Sequence, residues 1–140
     1  MQKFFDNTIT IQANPAAVAD ILANPQRLVN WDEEINTVDT TANHTFAIHR
    51  HQDAINAAEE LTVSNKGDVI SYHVQGDRLN YQVDFMLTEN GDDTVVVQTV
   101  AVDPAGVAGV PLKLLRPVAR RGFMQNLRVL ATVAESGMQL

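Results

Sequence analysis

The sequence predicts a single α+β domain over residues 1–140, in which a run of antiparallel strands is followed by a long C-terminal helix. Three observations support this class. Segments of alternating polar and apolar residues, separated by turn residues, fill the middle of the chain, as in antiparallel sheets. Beyond residue 111 the apolar period becomes that of a helix. The length of 140 residues and the hydrophobic fraction of 45% suit one domain with one core.

The chain begins with a predicted strand and two short helices. Phe5, Ile9 and Ile11 fall on one side of a period-two pattern, which indicates a strand. The pairs Asn14-Pro15 and Asn24-Pro25 each offer a capping side chain followed by a proline at the first helical position. We therefore expect a short helix after each pair, the second ending near Trp31.

After Trp31 the pattern predicts five or six consecutive antiparallel strands. The clearest segments are 44–51, 55–63, 70–74, 81–87 and 94–102. Tight turns are expected between several of them, for example at Asn65–Asp68. The alternation predicts one inward-facing set: Phe46, Ile48, Ile70, Tyr72, Val74, Val83 and Phe85.

The last predicted element is a long helix with an apolar stripe. The stripe consists of Phe123, Leu127, Leu130, Ala131 and Ala134. Because proline disrupts a helix interior, we expect a kink at Pro117, or a short turn over 111–116 followed by a main helix over 117–135.

Composition excludes several classes of function. The chain has no cysteine, so disulfides, thiolate metal sites and a cysteine nucleophile are absent. The net charge of -7 argues against a nucleic-acid partner. No apolar run approaches the ~20 residues that span a bilayer, and the N-terminus lacks a signal-peptide pattern. We therefore expect no stable membrane insertion and a cytoplasmic location.

The order of elements, with the segment Thr8–Pro15, Trp31 and the helix containing Leu127 and Leu130, resembles the START-like superfamily. This group is also called helix-grip or SRPBCC, and the resemblance is to its polyketide cyclase/dehydrase-like members. It implies a curved antiparallel sheet of six to seven strands wrapped around the long C-terminal helix. It also implies a cavity between them for a small hydrophobic molecule such as a lipid, quinone, sterol or polyketide-like compound. No cofactor is expected.

Glu59 is the most informative candidate in this cavity. It shares the predicted inward side of its strand with Ile55, Ala57, Leu61 and Val63, where a carboxylate is costly to bury unless it is paired or protonated. It is then a polar anchor for the ligand or a general acid or base. The alternative is a bulge that turns Glu59 into solvent. The predicted ligand-binding residues are Trp31, Phe46, Ile48, Glu59, Tyr72, Tyr81, Val83 and Phe85.

Three other groups of polar residues need an interpretation. His49 and His51 lie on one face of a strand, but zinc needs three or four protein ligands, so no metal site is predicted. The segment 32–34 is interpreted as solvated loop charge. A basic face along the last helix suits an anionic lipid, an acidic partner or a weak homodimer, or it is a solvated surface. Its members are Lys113, Arg116, Arg120, Arg121 and Arg128.

Three hypotheses for function follow. The first is binding of a small hydrophobic ligand without catalysis, which the sequence favours over an enzyme. The second is a cyclase or dehydratase using Glu59 and a tyrosine as acid and base. The third is a protein-interaction module acting through the basic helix. A buried, paired Glu59 favours the enzyme, an apolar cavity favours the carrier, and a filled cavity favours the interaction module.

Overall fold

The computed structural model of the protein describes residues 1–51 and 54–137. Over these residues, seven strands form one antiparallel sheet in the order β1-β7-β6-β5-β4-β3-β2. The strands are β1 (Gln2–Ile11), β2 (Ile35–Ala42), β3 (Thr45–Arg50), β4 (Ala58–Lys66), β5 (Val69–Gly76), β6 (Tyr81–Asn90) and β7 (Asp93–Val102). The helices are α1 (Pro15–Leu22), a 3₁₀ helix (Pro25–Asn30) and α2 (Leu112–Glu135). The predicted α+β class is confirmed.

Both short helices begin at their Asn-Pro pairs, as predicted. The Asn14 side chain accepts a hydrogen bond from the backbone N–H of Ala17 at 2.9 Å, and the Asn24 side chain accepts one from Gln26 at 3.3 Å. Each asparagine thus satisfies a backbone donor that the helix itself leaves free. The second helix is a 3₁₀ helix that ends at Asn30, directly before Trp31.

The sheet differs from the prediction at one edge and at one strand start. The strand β2 was not assigned from the sequence because its side chains are mostly polar and only Ile35 is buried. An edge strand of this kind carries no period-two apolar signal. The strand β4 begins at Ala58 rather than at residue 55, and Ala57 is exposed rather than inward-facing.

The long helix starts earlier than expected. The structure has a helix from Leu112 that continues through Pro117, so a main helix starting only at residue 117 was a wrong prediction. A proline inside a helix removes one backbone hydrogen bond. In α2 the lost bond lies in the second turn, close to the start of the helix. The predicted stripe is correctly phased, since Leu127, Leu130, Ala131 and Ala134 are buried.

Helix α2 packs against β1, and polar side chains fix its position. The Asn7 side chain donates to the carbonyl of Arg120 at 3.1 Å and to Gln98 Oε1 at 3.2 Å. At the other end of the helix, the Glu135 carboxylate accepts from the backbone N–H of Gln12 at 2.9 Å. In the described part of the chain, no helix is both long and apolar enough to cross a membrane.

Candidate functional site

A cavity of about 350 Å³ opens between α2 and the sheet. Its walls are mostly apolar and come from β1, β7 and α2. They include Phe4, Val100, Val102, Leu115, Ala119 and Phe123. One end of the cavity is polar and lies against β3, β4 and β6. The volume is at the lower end of the range typical of small-molecule sites.

Arg50, the last residue of β3, is the centre of the polar end. Its Nε donates to Glu59 Oε1 at 2.9 Å, and its Nη1 donates to Asp32 Oδ2 at 3.0 Å. The same Nη1 lies 3.5 Å from Glu34 Oε1, and Nη2 lies 3.4 Å from the Tyr81 hydroxyl. The Arg50 side chain is only 10% exposed. A cation this buried is stable only with such partners.

Glu59 points into the cavity from β4, and its side chain is 2% exposed. Besides the bond from Arg50, its Oε2 accepts from the Tyr81 hydroxyl at 2.8 Å and from Asn56 Nδ2 at 2.9 Å. The neighbouring Glu60 is exposed. The alternative of a bulge that turns Glu59 into solvent was therefore wrong.

Asn56 holds this cluster from the segment before β4. Its Nδ2 also donates to the carbonyl of Leu79 at 2.9 Å, and its Oδ1 accepts from the backbone N–H groups of Arg78 at 3.0 Å and Leu79 at 2.8 Å. Gly76 makes room for it, because a Cβ at that position would lie 2.0 Å from Asn56 Nδ2. All the hydrogen-bonding capacity of the Asn56 amide group is thus used in fixing Glu59 and the 78–79 turn.

Burial and charge shift the pKa of several groups here. Burial opposes the charge of Arg50, but the neighbouring Tyr81, Asp32 and Glu59 outweigh it and raise its pKa above the usual value. Burial raises the pKa of Tyr81 well above 10, although Arg50 opposes this. Burial also raises the pKa of Glu34. The site at neutral pH therefore holds a charged guanidinium and a neutral phenol.

A second, smaller cavity of about 30 Å³ lies next to the first and shares Asp32, Arg50, Tyr81, Phe123 and Asn126 with it. This volume is enough for one or two water molecules. Trp31 lines it, and among the described residues no partner accepts the buried Trp31 Nε1–H. The smaller cavity is therefore an inner extension of the larger one with an unused donor in its wall.

The structure brings together six of the eight residues predicted to line the ligand site. Glu59 and Tyr81 line the larger cavity, and Tyr81 also lines the smaller one. The other residues on the smaller cavity are Trp31, Tyr72, Val83 and Phe85. Whether they contact a ligand stays a prediction.

Phe46 and Ile48 were predicted to line the ligand site, but they line neither of the two cavities. Both are buried in the hydrophobic core instead. They lie on β3, next to the edge strand β2 against which the 3₁₀ helix packs, and so away from α2. Tyr72 is limited as well, because its hydroxyl donates to the backbone carbonyl of Leu22 at 2.6 Å. It contributes a ring to the site but no free hydroxyl hydrogen.

Sequence reasoning missed Arg50, Asn56 and Asp32. Arg50 could have been found, because it has the same strand parity as the inward-facing Phe46 and Ile48. Asp32 was interpreted as solvated loop charge, but it is buried and paired with Arg50. Asn56 lies in an irregular segment, where no periodic pattern indicates direction.

The remaining polar candidates lie outside the cavity. His49 Nδ1 is 3.4 Å from Thr37 Oγ1 on the neighbouring strand. Within residues 1–51 and 54–137, no cluster of three or more His, Cys, Asp or Glu side chains is arranged to hold a metal ion. The basic residues of α2 are exposed, and Arg116 lies over the Phe4 ring at 5.4 Å from its centroid.

A sheet that carries an open, mostly apolar cavity under a long C-terminal helix defines a START-like fold. A family model described as polyketide cyclase/dehydrase and lipid transport matches residues 3–135. The chain belongs to this family. No curated protein matches the sequence.

Solved structures support the same fold. A START superfamily protein from Mycobacterium smegmatis superposes with a TM-score of 0.81 at 16% identity, covering 96% of this chain and 98% of its own. A conserved protein from Geobacillus kaustophilus gives 0.79 at 15% identity, with 94% of each chain covered. The Zhui aromatase/cyclase from a Streptomyces species gives 0.72 at 18% identity, covering 94% and 92%. At these identities the likeness concerns the fold.

Proposed function

We propose that this protein binds a small hydrophobic molecule in the cavity between the sheet and α2. The observation that carries the proposal is the cavity of about 350 Å³ with mostly apolar walls and one polar end. Apolar cavities of ligand size gain free energy when an apolar guest displaces water contacts. Membership of a family described as including lipid transport is consistent with this role.

The size of the ligand follows from simple energetics. Micromolar affinity corresponds to ~8 kcal/mol. At ~25 cal/mol per Å², this requires burial of ~330 Å² of apolar surface even before association costs are subtracted. Such an area needs a ligand that occupies most of the cavity, for example a long alkyl chain or several fused rings.

A larger side chain in the wall of the cavity should obstruct it and thereby test whether a ligand binds there. Gly122 of α2 lines the cavity, and a Cβ built there has no heavy atom within 4 Å. Gly122→Leu is therefore tolerated sterically, improves helix propensity and narrows the site. We expect a panel of alkyl, sterol and polycyclic compounds to include a saturable ligand for the wild type, and Gly122→Leu to weaken it at least about tenfold. Calorimetry and the fluorescence of Trp31 measure both.

The matched control is Thr132→Leu, which adds a leucine to an exposed position of the same helix outside the cavity lining. It should leave affinity unchanged. Saturable binding that is equally strong in Gly122→Leu would place the ligand elsewhere. No saturable binding across the panel would contradict the proposal itself.

A second candidate function is a cyclase or dehydratase, favoured by the Tyr81 hydroxyl that donates to buried Glu59 inside the cavity. In a dehydration, Glu59 would accept the α-proton of a β-hydroxy carbonyl compound, and Tyr81 would protonate the departing hydroxyl to water. Three donors, including Arg50, already contact the Glu59 carboxylate. Both oxygens of the carboxylate are thus engaged by the protein rather than by a substrate, so we place binding first. Turnover that is lost in Tyr81→Phe while binding persists would favour the enzyme.

The third hypothesis, an interaction module, requires a filled interior. The cavity instead remains open, although Leu114 and Val118 of α2 are exposed apolar residues beside the basic face. These features do not point to a particular partner.

A further inference from the structure

The polar end of the proposed binding cavity has an excess of negative charge. The acidic and basic lining residues that the structure describes, apart from the neutral phenol of Tyr81, are four carboxylates and one guanidinium, namely Asp32, Glu33, Glu34, Glu59 and Arg50. Lys and Arg side chains of α2 are not among the described lining residues, although the helix carries five of them. A ligand entering past Glu33 and Glu34 therefore meets a negative potential.

Most of the N–H groups of the one guanidinium in this lining are already committed to protein acceptors. Its Nε faces Glu59, its Nη1 faces Asp32 and Glu34, and its Nη2 lies near the Tyr81 hydroxyl. A carboxylate or phosphate on the ligand would have to displace one of these partners and leave a buried carboxylate without its counter-charge. Such a loss costs more than the new ion pair returns.

In the larger cavity, the groups left over for a ligand are mainly hydrogen-bond acceptors, whereas the unused Trp31 Nε1–H lies in the wall of the smaller cavity. The Tyr81 hydroxyl donates its single hydrogen to Glu59, and its oxygen lies 3.4 Å from Arg50 Nη2, so it has no hydrogen to offer a ligand. The Glu34 side chain is 60% exposed and reaches the guanidinium only at 3.5 Å, so its carboxylate oxygens remain accessible at the mouth. Burial raises the pKa of Glu34, Arg50 opposes this increase, and repulsion from the nearby Asp32 and Glu59 adds to it. A cation in the mouth would relieve this repulsion.

We propose that the polar end of the ligand is a protonated amine, and that amphiphiles with an anionic head are rejected. This inference rests on the proposed function and names the chemical class of its ligand. The apolar part lies between α2, β1 and β7, and the ammonium group donates to the accessible carboxylate of Glu34 at the mouth. One ammonium group lowers the excess of carboxylates over cations in this lining from three to two.

The test compares three probes that share one alkyl chain and differ in the head, namely decylamine, decanol and decanoate. Binding to the intact protein is measured by calorimetry at neutral pH, low salt and probe concentrations below micelle formation. We expect decylamine to bind at least about tenfold more tightly than decanoate, with decanol between them, because one favourable charge contact at intermediate dielectric is sufficient for this ratio. Added salt should reduce the difference.

Glu34→Gln isolates the charge contact, since the side chain is exposed enough for the fold to survive its change. This variant should bind decylamine about three- to tenfold more weakly and decanol as well as the wild type does. Glu60→Gln, which removes the same charge from an exposed position of β4, should change neither affinity.

The outcomes separate the two proposals. Decanoate binding as tightly as decylamine, or an unchanged decylamine affinity in Glu34→Gln, would overturn the amine preference while leaving hydrophobic binding intact. Decanol binding with the same affinity as decylamine would also overturn the preference. No saturable binding of any probe would contradict the proposed function and this inference together.

Discussion

Replacing Glu59 by glutamine tests whether the ion-pair cluster at the polar end of the cavity stabilises the fold. The substitution keeps the shape of the side chain and removes its charge. In the folded protein, one oxygen of Glu59 faces the Arg50 guanidinium, and the other faces the Tyr81 hydroxyl and the Asn56 amide. All three are donors. A glutamine therefore has to point its NH₂ group at a donor in either orientation.

The magnitude follows from this geometry. Breaking a buried ion pair by removing one partner costs ~3–5 kcal/mol, because the other charge is left uncompensated. Asp32 still holds Arg50 through Nη1 at 3.0 Å, so we expect the lower end, a loss of ~3 kcal/mol in the free energy of unfolding. With a urea dependence of ~1–3 kcal/mol per M, the unfolding midpoint should fall by roughly 1–3 M.

Urea denaturation followed by the fluorescence of Trp31 and by circular dichroism measures this loss. The control is Glu60→Gln, which makes the same chemical change on the exposed face of the same strand and should shift stability by no more than ~0.5 kcal/mol. A loss below ~1 kcal/mol in Glu59→Gln would refute the reasoning. It would mean that the carboxylate is solvated or that Arg50 does not depend on it.

Two further predictions concern the core and the tyrosines. Leu127 is fully buried in the stripe of α2, so Leu127→Ala should destabilise the fold by ~2–5 kcal/mol in chemical denaturation, and a shift below ~0.5 kcal/mol would mean that the stripe is mis-phased. The chain has only two tyrosines, Tyr72 and Tyr81, and burial raises the pKa of both in the folded protein. Their contribution to stability is therefore complete below about pH 10 and decreases as pH rises above it. Tyrosinate absorbance should appear only well above pH 10 and together with unfolding, whereas its appearance at pH 10 in the folded protein would show that a hydroxyl is exposed.

Most of the fold could be predicted because its signals are local. The Asn-Pro pairs mark helix starts by capping chemistry, and the stripe through Leu127 gives the phase of α2. The wrong or missing predictions concern segments whose local sequence pattern disagrees with the structure that they adopt. Pro117 suggested an interruption, but the helix continues through it and loses one backbone hydrogen bond there. The polar strand β2 forms by pairing with β3. Its own side chains carry no pattern from which this pairing could be predicted.

The site could be predicted only for residues whose direction follows from the alternation of side chains along a strand. Alternation along the strands placed Glu59 and Tyr81 toward the cavity, and it would also have placed Arg50 there, because Arg50 lies two residues after Ile48 in the predicted segment 44–51. The partners Asp32 and Asn56 lie in irregular segments, and their roles depend on tertiary contacts. Parity also cannot distinguish core from cavity lining. Phe46 and Ile48 point to the same side of the sheet as Tyr81. They lie near the edge of the sheet that packs against the 3₁₀ helix, where the interior is filled.

The cluster around Arg50 joins four separate parts of the chain, since Asp32 follows the 3₁₀ helix, Arg50 ends β3, Glu59 lies on β4 and Tyr81 begins β6. A protein that needed only stability at this point could join them with apolar side chains, because buried ion pairs rarely exceed well-packed hydrophobic residues in net stabilisation. The position of the cluster at one end of an otherwise apolar cavity offers a different reason for it. It gives the cavity one fixed polar end, with acceptors oriented before a ligand arrives, so that little reorganisation has to accompany binding. Because most of its donors are already used by the protein itself, the cluster fits the preference proposed above for a ligand that donates hydrogen bonds rather than one that accepts them.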